Sequence, residues 1–199
     1  GDLFSFLTDL LTLSRGDLAA YSLGGSILSP LSERVSVGLS GFYTSRSSRS
    51  EYRDWVDQDD LPIEQTTNFL RLPILAVARV YLAPRGERIG SLAWIPAPYA
   101  PYVGGGAGVM WHRFRIVGDM FDYDDPDRVI YNSALVDTGW SPAFQLMAGV
   151  DINLTTRLML TGEASYIRSS AELGQSFADF EDPLDLSGFM GAVGLSVRL

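Results

Sequence analysis

The chain has 199 residues, 46% of them hydrophobic and 20% charged, and its 24 acids against 15 basic residues leave a net charge of −9. That surplus repels phosphate backbones and excludes nucleic acid as an expected partner. Cysteine is absent, which excludes disulfide scaffolds and thiolate metal sites, and no run approaches the roughly 18 consecutive apolar residues that a membrane helix needs. One domain spanning residues 1–199 is expected at this length. No secretory leader is recognisable at Gly1, so the chain is expected to be mature or trimmed. Every basic residue is an arginine. Genomic base composition is the simpler source of that bias, and planar pairing with carboxylate or phosphate is the alternative.

Residues 1–14 fit two patterns. Leu3, Leu7, Leu11 and Leu13 give a strand with one apolar side, whereas Leu3, Phe4, Phe6, Leu7, Leu10 and Leu11 also fit helical spacing. A strand is expected there, with a short amphipathic helix as the competing reading. Over residues 19–29, Tyr21, Leu23 and Ile27 oppose Ala20, Ser22, Gly24 and Ser26; over 34–46, Val35, Val37, Leu39 and Tyr43 oppose Ser36, Gly38, Ser40 and Thr44. Only residues 30–33 separate the two runs, which is hairpin length. Residues 67–82 set Leu70, Leu72, Ile74, Ala76, Ala78, Val80 and Leu82 against Arg71, Pro73, Leu75, Val77, Arg79 and Tyr81. Two arginines on one face argue for a wet interior. Pro73, lacking an N–H, predicts a bulge or kink.

Residues 100–116 alternate Val103, Ala107, Val109 and Trp111 with Gly104, Gly106, Gly108 and Met110. Gly104 to Gly106 lack the strand-turn-helix setting of a nucleotide loop and read as close packing in a narrow barrel. Residues 144–154 and 157–168 alternate cleanly on either side of the Thr155-Thr156 turn. In the final run, 187–199, Phe189, Val193, Leu195, Val197 and Leu199 share one parity and small or polar residues the other.

The counted runs make seven strands, and residues 1–14 would supply an eighth. Connections alternate between short or moderate (30–33, 84–98, 155–156) and long (47–65, 118–140, 169–185), and the long set holds 17 of the 24 acids. Short turns alternating with long loops are the grammar of outer-membrane barrels. The fold class expected is therefore all-β: an eight-stranded antiparallel transmembrane up-and-down β-barrel. A soluble sandwich or lipocalin-like binder, with the faces exchanged in role, is the rival.

The run from Ala100 to Gly108, then Met147 to Asp151 leading into Leu158 to Tyr166, resembles the small outer-membrane β-barrel family that includes the membrane domain of outer membrane protein A and the outer membrane protein W group. The similarity covers about residues 19–199. It implies eight antiparallel strands in the Gram-negative outer membrane, fixes no activity, and is departed from at Leu199, where the family usually ends in an aromatic residue.

Arg71, Arg79, Asp151, Glu163 and Arg198 are expected to share the lumen as a salt-bridge network, because charges in a narrow interior need partners. The single histidine, His112, faces the lumen beside Met110, and no serine stands two residues on, so no catalytic role is expected. Asp122, Asp124, Asp125 and Asp127 offer hard oxygen ligands suited to calcium. Pro126 inside that run and the lack of a loop glycine and closing glutamate favour a solvated loop instead, and no cofactor is expected. Tyr43, Trp111, Tyr166 and Trp140 near the long-loop ends, with Tyr81, Trp94, Tyr99 and Tyr102 near the short-turn ends, suggest two interfacial girdles. The function expected is a structural or surface-interaction role in the outer membrane. Its partners would be outer-membrane lipid, lipopolysaccharide and other envelope proteins. A narrow porin-like conduit and a subunit of a larger envelope assembly are the alternatives.

Overall fold

A computed structural model describes residues 8–57, 60–89, 93–121, 130–172, 174 and 182–198. A 3-10 helix (Arg15–Leu18) precedes ten strands: β1 (Ser22–Pro30), β2 (Val35–Val56), β3 (Pro62–Tyr81), β4 (Gly86–Ile89), β5 (Ala93–Pro96), β6 (Tyr99–Phe121), β7 (Ile130–Asn153), β8 (Leu158–Ala171), β9 (Leu184–Asp185) and β10 (Gly188–Val197). The seven long strands pair antiparallel in the order β1-β2-β3-β6-β7-β8-β10, and β9 adds to β8. β4 and β5 form a separate small hairpin. The fold is all-β, and the sheet curls into a half-barrel whose edge strands, β1 and β10, are not paired with each other among the described residues.

The curl gives every long strand an inner and an outer parity. Leu39, Ile74, Val103, Phe144, Leu146, Phe189 and Val193 are exposed on the outside, Leu146 to 71% and Phe189 to 88%. Ser36, Thr44, Arg79, His112, Gln145, Asp151 and Ser165 are buried on the inside. The apolar parity read from the sequence is thus the outer one. No helix among the described residues is long and apolar enough to cross a membrane.

Three expectations need correction. Residues 1–7 lie outside the described residues, but residues 8–10 are helical, Leu11 makes a single bridge to Tyr52, and the 3-10 helix follows, so residues 8–18 form no strand. Leu11 and Leu13, expected to face lipid, are buried in the interior cluster instead. Each gains about 1.5–3 kcal/mol by that burial. The upper edge of β2 meanwhile supplies the backbone's partners, with Thr12 N–H donating to the Glu51 carbonyl at 2.8 Å and Glu51 N–H to Thr12 Oγ1 at 3.0 Å.

Second, most of the long connections 47–65 and 118–140 are not loops. β2 pairs with β3 as far as Glu51↔Glu64 and again at Val56↔Pro62, and β6 pairs with β7 without interruption from Tyr99↔Ile152 to Phe121↔Ile130. The end carrying these extended hairpins is called the arm end, the other the turn end. The extensions escape an apolar-alternation reading because segments such as Ser47-Ser48-Arg49-Ser50 are polar on both parities.

Third, Pro73 produces no bulge or register shift, though it does interrupt the ladder locally. The β2–β3 pairing is absent beside Pro73, between Gly41↔Ile74 and Thr44↔Arg71, yet it resumes in the same register, while the β3–β6 ladder runs straight through Pro73↔Met110. A missing N–H costs one ladder bond on one side only.

Candidate functional site: the enclosed interior

At the turn end, inward residues from four strands converge. Arg79 of β3 donates from Nη2 to Glu163 Oε2 of β8 at 2.8 Å, and Tyr102 of β6 donates its hydroxyl to the same oxygen at 2.6 Å. The Arg79 guanidinium also lies 4.5 Å from the Tyr102 ring centre. Tyr102 reaches across because Gly149 of β7 faces it: a Cβ there would stand 2.6 Å from the tyrosine oxygen. Asp151, one step further towards the turns, accepts from Tyr81 at 2.8 Å and from Thr161 Oγ1 at 2.7 Å. Charge-assisted hydrogen bonds of this kind contribute about 1.5–3 kcal/mol each.

Two further arginines close this end. Arg85 stacks 5.0 Å from the Tyr81 ring and donates to Ser36 Oγ at 3.1 Å. Arg198 lies 4.3 Å from the ring of Trp94 on β5 and donates to Asn153 Oδ1 and the Thr156 carbonyl, both at 3.2 Å.

The arm end is built differently. Leu11, Leu13, Phe69, Phe114, Ile116, Ile167, Ala171, Leu184 and Leu186 belong to the buried apolar cluster, and Phe69 meets Phe114 edge-on at 5.7 Å. Set into it is a second ionisable pair. His112 of β6, 1% exposed, has its Nε2 2.9 Å from Asp137 Oδ2 of β7, and Asp137 Oδ1 accepts from the Gly174 N–H at 2.9 Å. One carboxylate therefore ties two strands to the connection after β8. Arg71 donates to the Leu186 carbonyl at 3.0 Å, with its guanidinium 5.2 Å from the Phe69 ring.

Between the two ends, Gln145 Oε1 and Ser165 Oγ are buried and find no hydrogen-bond partner among the described residues, as does His112 Nδ1. Ser141 and Ser169 satisfy each other at 2.9 Å on the same β7–β8 wall. Buried polar atoms of this kind ordinarily find a partner.

Of the five residues expected to form one network, Arg79 and Glu163 pair directly. Asp151 sits beside them but is satisfied by hydroxyl groups. Arg198 lies at the turn-end rim on Asn153, and Arg71 belongs to the arm end, bonded to backbone. Asp137 was missed because it falls in a stretch read as a loop. Extending the β7 parity back from Gln145 by twos reaches it. Tyr81 and Tyr102, placed in a girdle by the sequence, point inward and are buried, whereas Tyr99, Trp140 and Tyr43 are exposed on the outer face. Asp122, Asp124, Asp125 and Asp127 fall outside the described residues, among which no group of three or more His, Asp or Glu is arranged to hold a metal. No protein-family model matches the chain, and no curated protein matches it either.

The arrangement is one of cross-braces. Arg71, Arg79, His112, Asp137, Asp151 and Glu163 each bond to another strand, a hydroxyl or a backbone group, which braces the strands against one another.

Proposed function

We propose that this chain is an integral outer-membrane β-barrel protein, of the kind the small outer-membrane barrels exemplify, with a structural or surface-interaction role. The observation that carries the reading is the inversion of burial. Large apolar side chains stand exposed along the outer parity of the strand middles while Arg79, His112, Asp137, Gln145 and Asp151 are buried on the concave side. Water-soluble proteins expose scattered apolar residues but rarely a continuous apolar belt, and lipid is the solvent for which such a belt is stable. The strands are long enough, since a tilted strand crosses the hydrocarbon in about 9–11 residues. Arms rising beyond that length, joined by acidic connections, supply the surface for contact with other molecules.

The test is heat modifiability. Detergent-folded chain loaded unboiled on a denaturing gel migrates differently from the boiled sample, and Leu146→Arg weakens that folded band by about 2–4 kcal/mol if the residue faces the bilayer midplane. An unchanged band in that variant, with the wild type partitioning into the aqueous phase of a detergent extraction, would refute the reading.

The unpartnered buried atoms of Gln145, Ser165 and His112 favour one second reading, a narrow conduit. Planar-bilayer recording separates the two, because a braced and filled interior carries no steady current and a conduit does.

A further inference from the structure

The outer face changes character at one place on three adjacent strands. Read from the turn end to the arm end, the outward parity of β2 runs Val37, Leu39, Gly41, Tyr43 and then Ser45 and Ser47. That of β3 runs Ala76, Ile74, Leu72, Leu70 and then Asn68 and Thr66, and that of β6 runs Ala107, Val109, Trp111 and then Arg113 and Arg115. Register aligns the three changes, with Ser45 opposite Leu70, Leu70 opposite Arg113 and Asn68 opposite Arg115. The apolar belt ends here in two cations. Tyr43 and Trp111 stand at its last step on β2 and β6, where aromatic rings mark a boundary between hydrocarbon and water.

A pocket of about 230 Å³ opens at that border, lined by Ser45, Asn68, Phe69, Leu70, Arg113 and Arg115. No carboxylate lines it, and neither guanidinium has a hydrogen bond or ion pair among the described residues. Arg115 Nε is buried there as a donor without an acceptor, although buried donors ordinarily find one. Asp119, the next acid along that face of β6, is already held by Asn132 at 3.0 Å. Nearer the turn end, on the same three strands, Ala76, Ala78, Gly105 and Ala107 leave a shallow hollow of about 650 Å³ walled by Val37 and Leu39. Arg113 and Ala107 are six residues apart on β6, about 20 Å, which is the reach of an extended fatty-acyl chain.

We propose that this face binds one phosphorylated lipid, its phosphate held between Arg113 and Arg115 and an acyl chain laid along the hollow. The guanidinium fork matches the oxygens of a phosphate in pairs, and the Asn68 amide and Ser45 hydroxyl are further donors on the same wall. Two free cations in a chain of net charge −9 select an anion, and the apolar surface continuous with them selects one that carries a long apolar tail. A free phosphate ion would fill the pocket and leave the hollow bare. The proposal rests on the outer-membrane reading and deepens it, because only a face set against lipid meets head and tail together.

The test uses the full chain reconstituted into phosphatidylcholine vesicles, with Trp55→Phe, Trp94→Phe and Trp140→Phe so that Trp111, beside the pocket, is the single reporter. The probes are phosphatidic acid and phosphatidylcholine with brominated acyl chains, which quench tryptophan on contact. Phosphatidic acid is expected to quench Trp111 at about fivefold lower mole fraction than phosphatidylcholine. Arg113→Gln combined with Arg115→Gln removes that preference. Asn68→Asp, which sets a carboxylate opposite Arg115, removes it too, and decides alone if the double variant gives no folded band. Arg157→Gln, exposed at the turn end, keeps it. Equal quenching by the two lipids, a preference that survives either pocket change in a folded variant, or one that disappears in Arg157→Gln would each overturn the proposal. Displacement of the lipid by equimolar inorganic phosphate would also overturn it, making the pocket a site for the free ion. If the unboiled parent chain shows no folded band, the membrane reading itself fails. A folded band with any of the overturning results removes the lipid site alone.

Discussion

At the turn end of the interior Arg79 and Glu163 meet at 2.8 Å among phenols and hydroxyls, whereas at the arm end Phe69 meets Phe114 inside a cluster of leucines and isoleucines. The two regions solve one problem, filling the concave side of a curled sheet, by opposite means. At the turn end the long strands supply polar side chains that reach one another, and Arg85 and Trp94 from the connection after β3 add to that bracing. The arm end receives an outside filler, residues 8–14, whose leucines need only apolar neighbours. Polar bracing depends on geometry and fails when one partner is lost; apolar packing depends on volume and fails when atoms are removed.

That contrast can be broken at either end. The largest effect is expected for Phe114→Ala, which empties the centre of the arm-end cluster and lowers unfolding stability by about 3–5 kcal/mol, read as a fall in the urea midpoint in detergent with an unchanged slope. Glu163→Leu strands the Arg79 guanidinium among aromatic rings and costs about 3 kcal/mol, while Arg79→Leu combined with Glu163→Leu recovers most of the loss. A double variant no better than the single would show that the bonds of Tyr102, not the ion pair, brace this end. Gly149→Ala places a methyl group against the Tyr102 oxygen and the Gly162 carbonyl, and the overpacking costs about 1–3 kcal/mol. In that variant the Tyr102 fluorescence and its hydrogen bond to Glu163 change while the Phe69–Phe114 contact does not.

The smallest effect concerns pH and the filler's anchor. The Asp17 carboxylate accepts from the Ser14 hydroxyl at 2.7 Å and the Ser14 N–H at 2.8 Å, and these bonds hold its pKa below the usual aspartate value. A group whose pKa is lower in the folded state stabilises it above the unfolded pKa, near 3.9, and that contribution is lost as pH falls through the folded value. Acid therefore loosens residues 14–17 before it reaches the apolar cluster, seen as faster exchange of the Ser14 amide. Asp17→Asn removes this pH dependence.

Strand identity was legible wherever one parity was apolar and the other small, polar or mixed, and all seven long strands have middles of that kind because their two sides meet unlike environments. The ends were not legible. Ser47 to Ser50 in the extended β2–β3 hairpin are polar on both parities, so no apolar alternation marks them, and Asp137 was lost in a stretch read as a loop in the same way. For Leu11 and Leu13 the spacing was right and the destination wrong: two leucines of equal parity suit lipid and a protein interior equally well, and only the free upper edge of β2 decides between them. Arg79 with Glu163 could be anticipated from parity alone. The donors to Asp151 could not, because Tyr81 and Thr161 are far apart in sequence and gave no signal of charge.

The hairpin of β6 and β7 keeps its ladder from Tyr99↔Ile152 to Phe121↔Ile130, strands of 23 and 24 residues. At about 3.3 Å per residue each measures roughly 75–80 Å, twice or more what a bilayer crossing consumes. The surplus is a stiff mast rather than a tether. Under the outer-membrane placement proposed above, that mast would carry the β6–β7 connection well clear of the lipid headgroups, within reach of whatever approaches from outside.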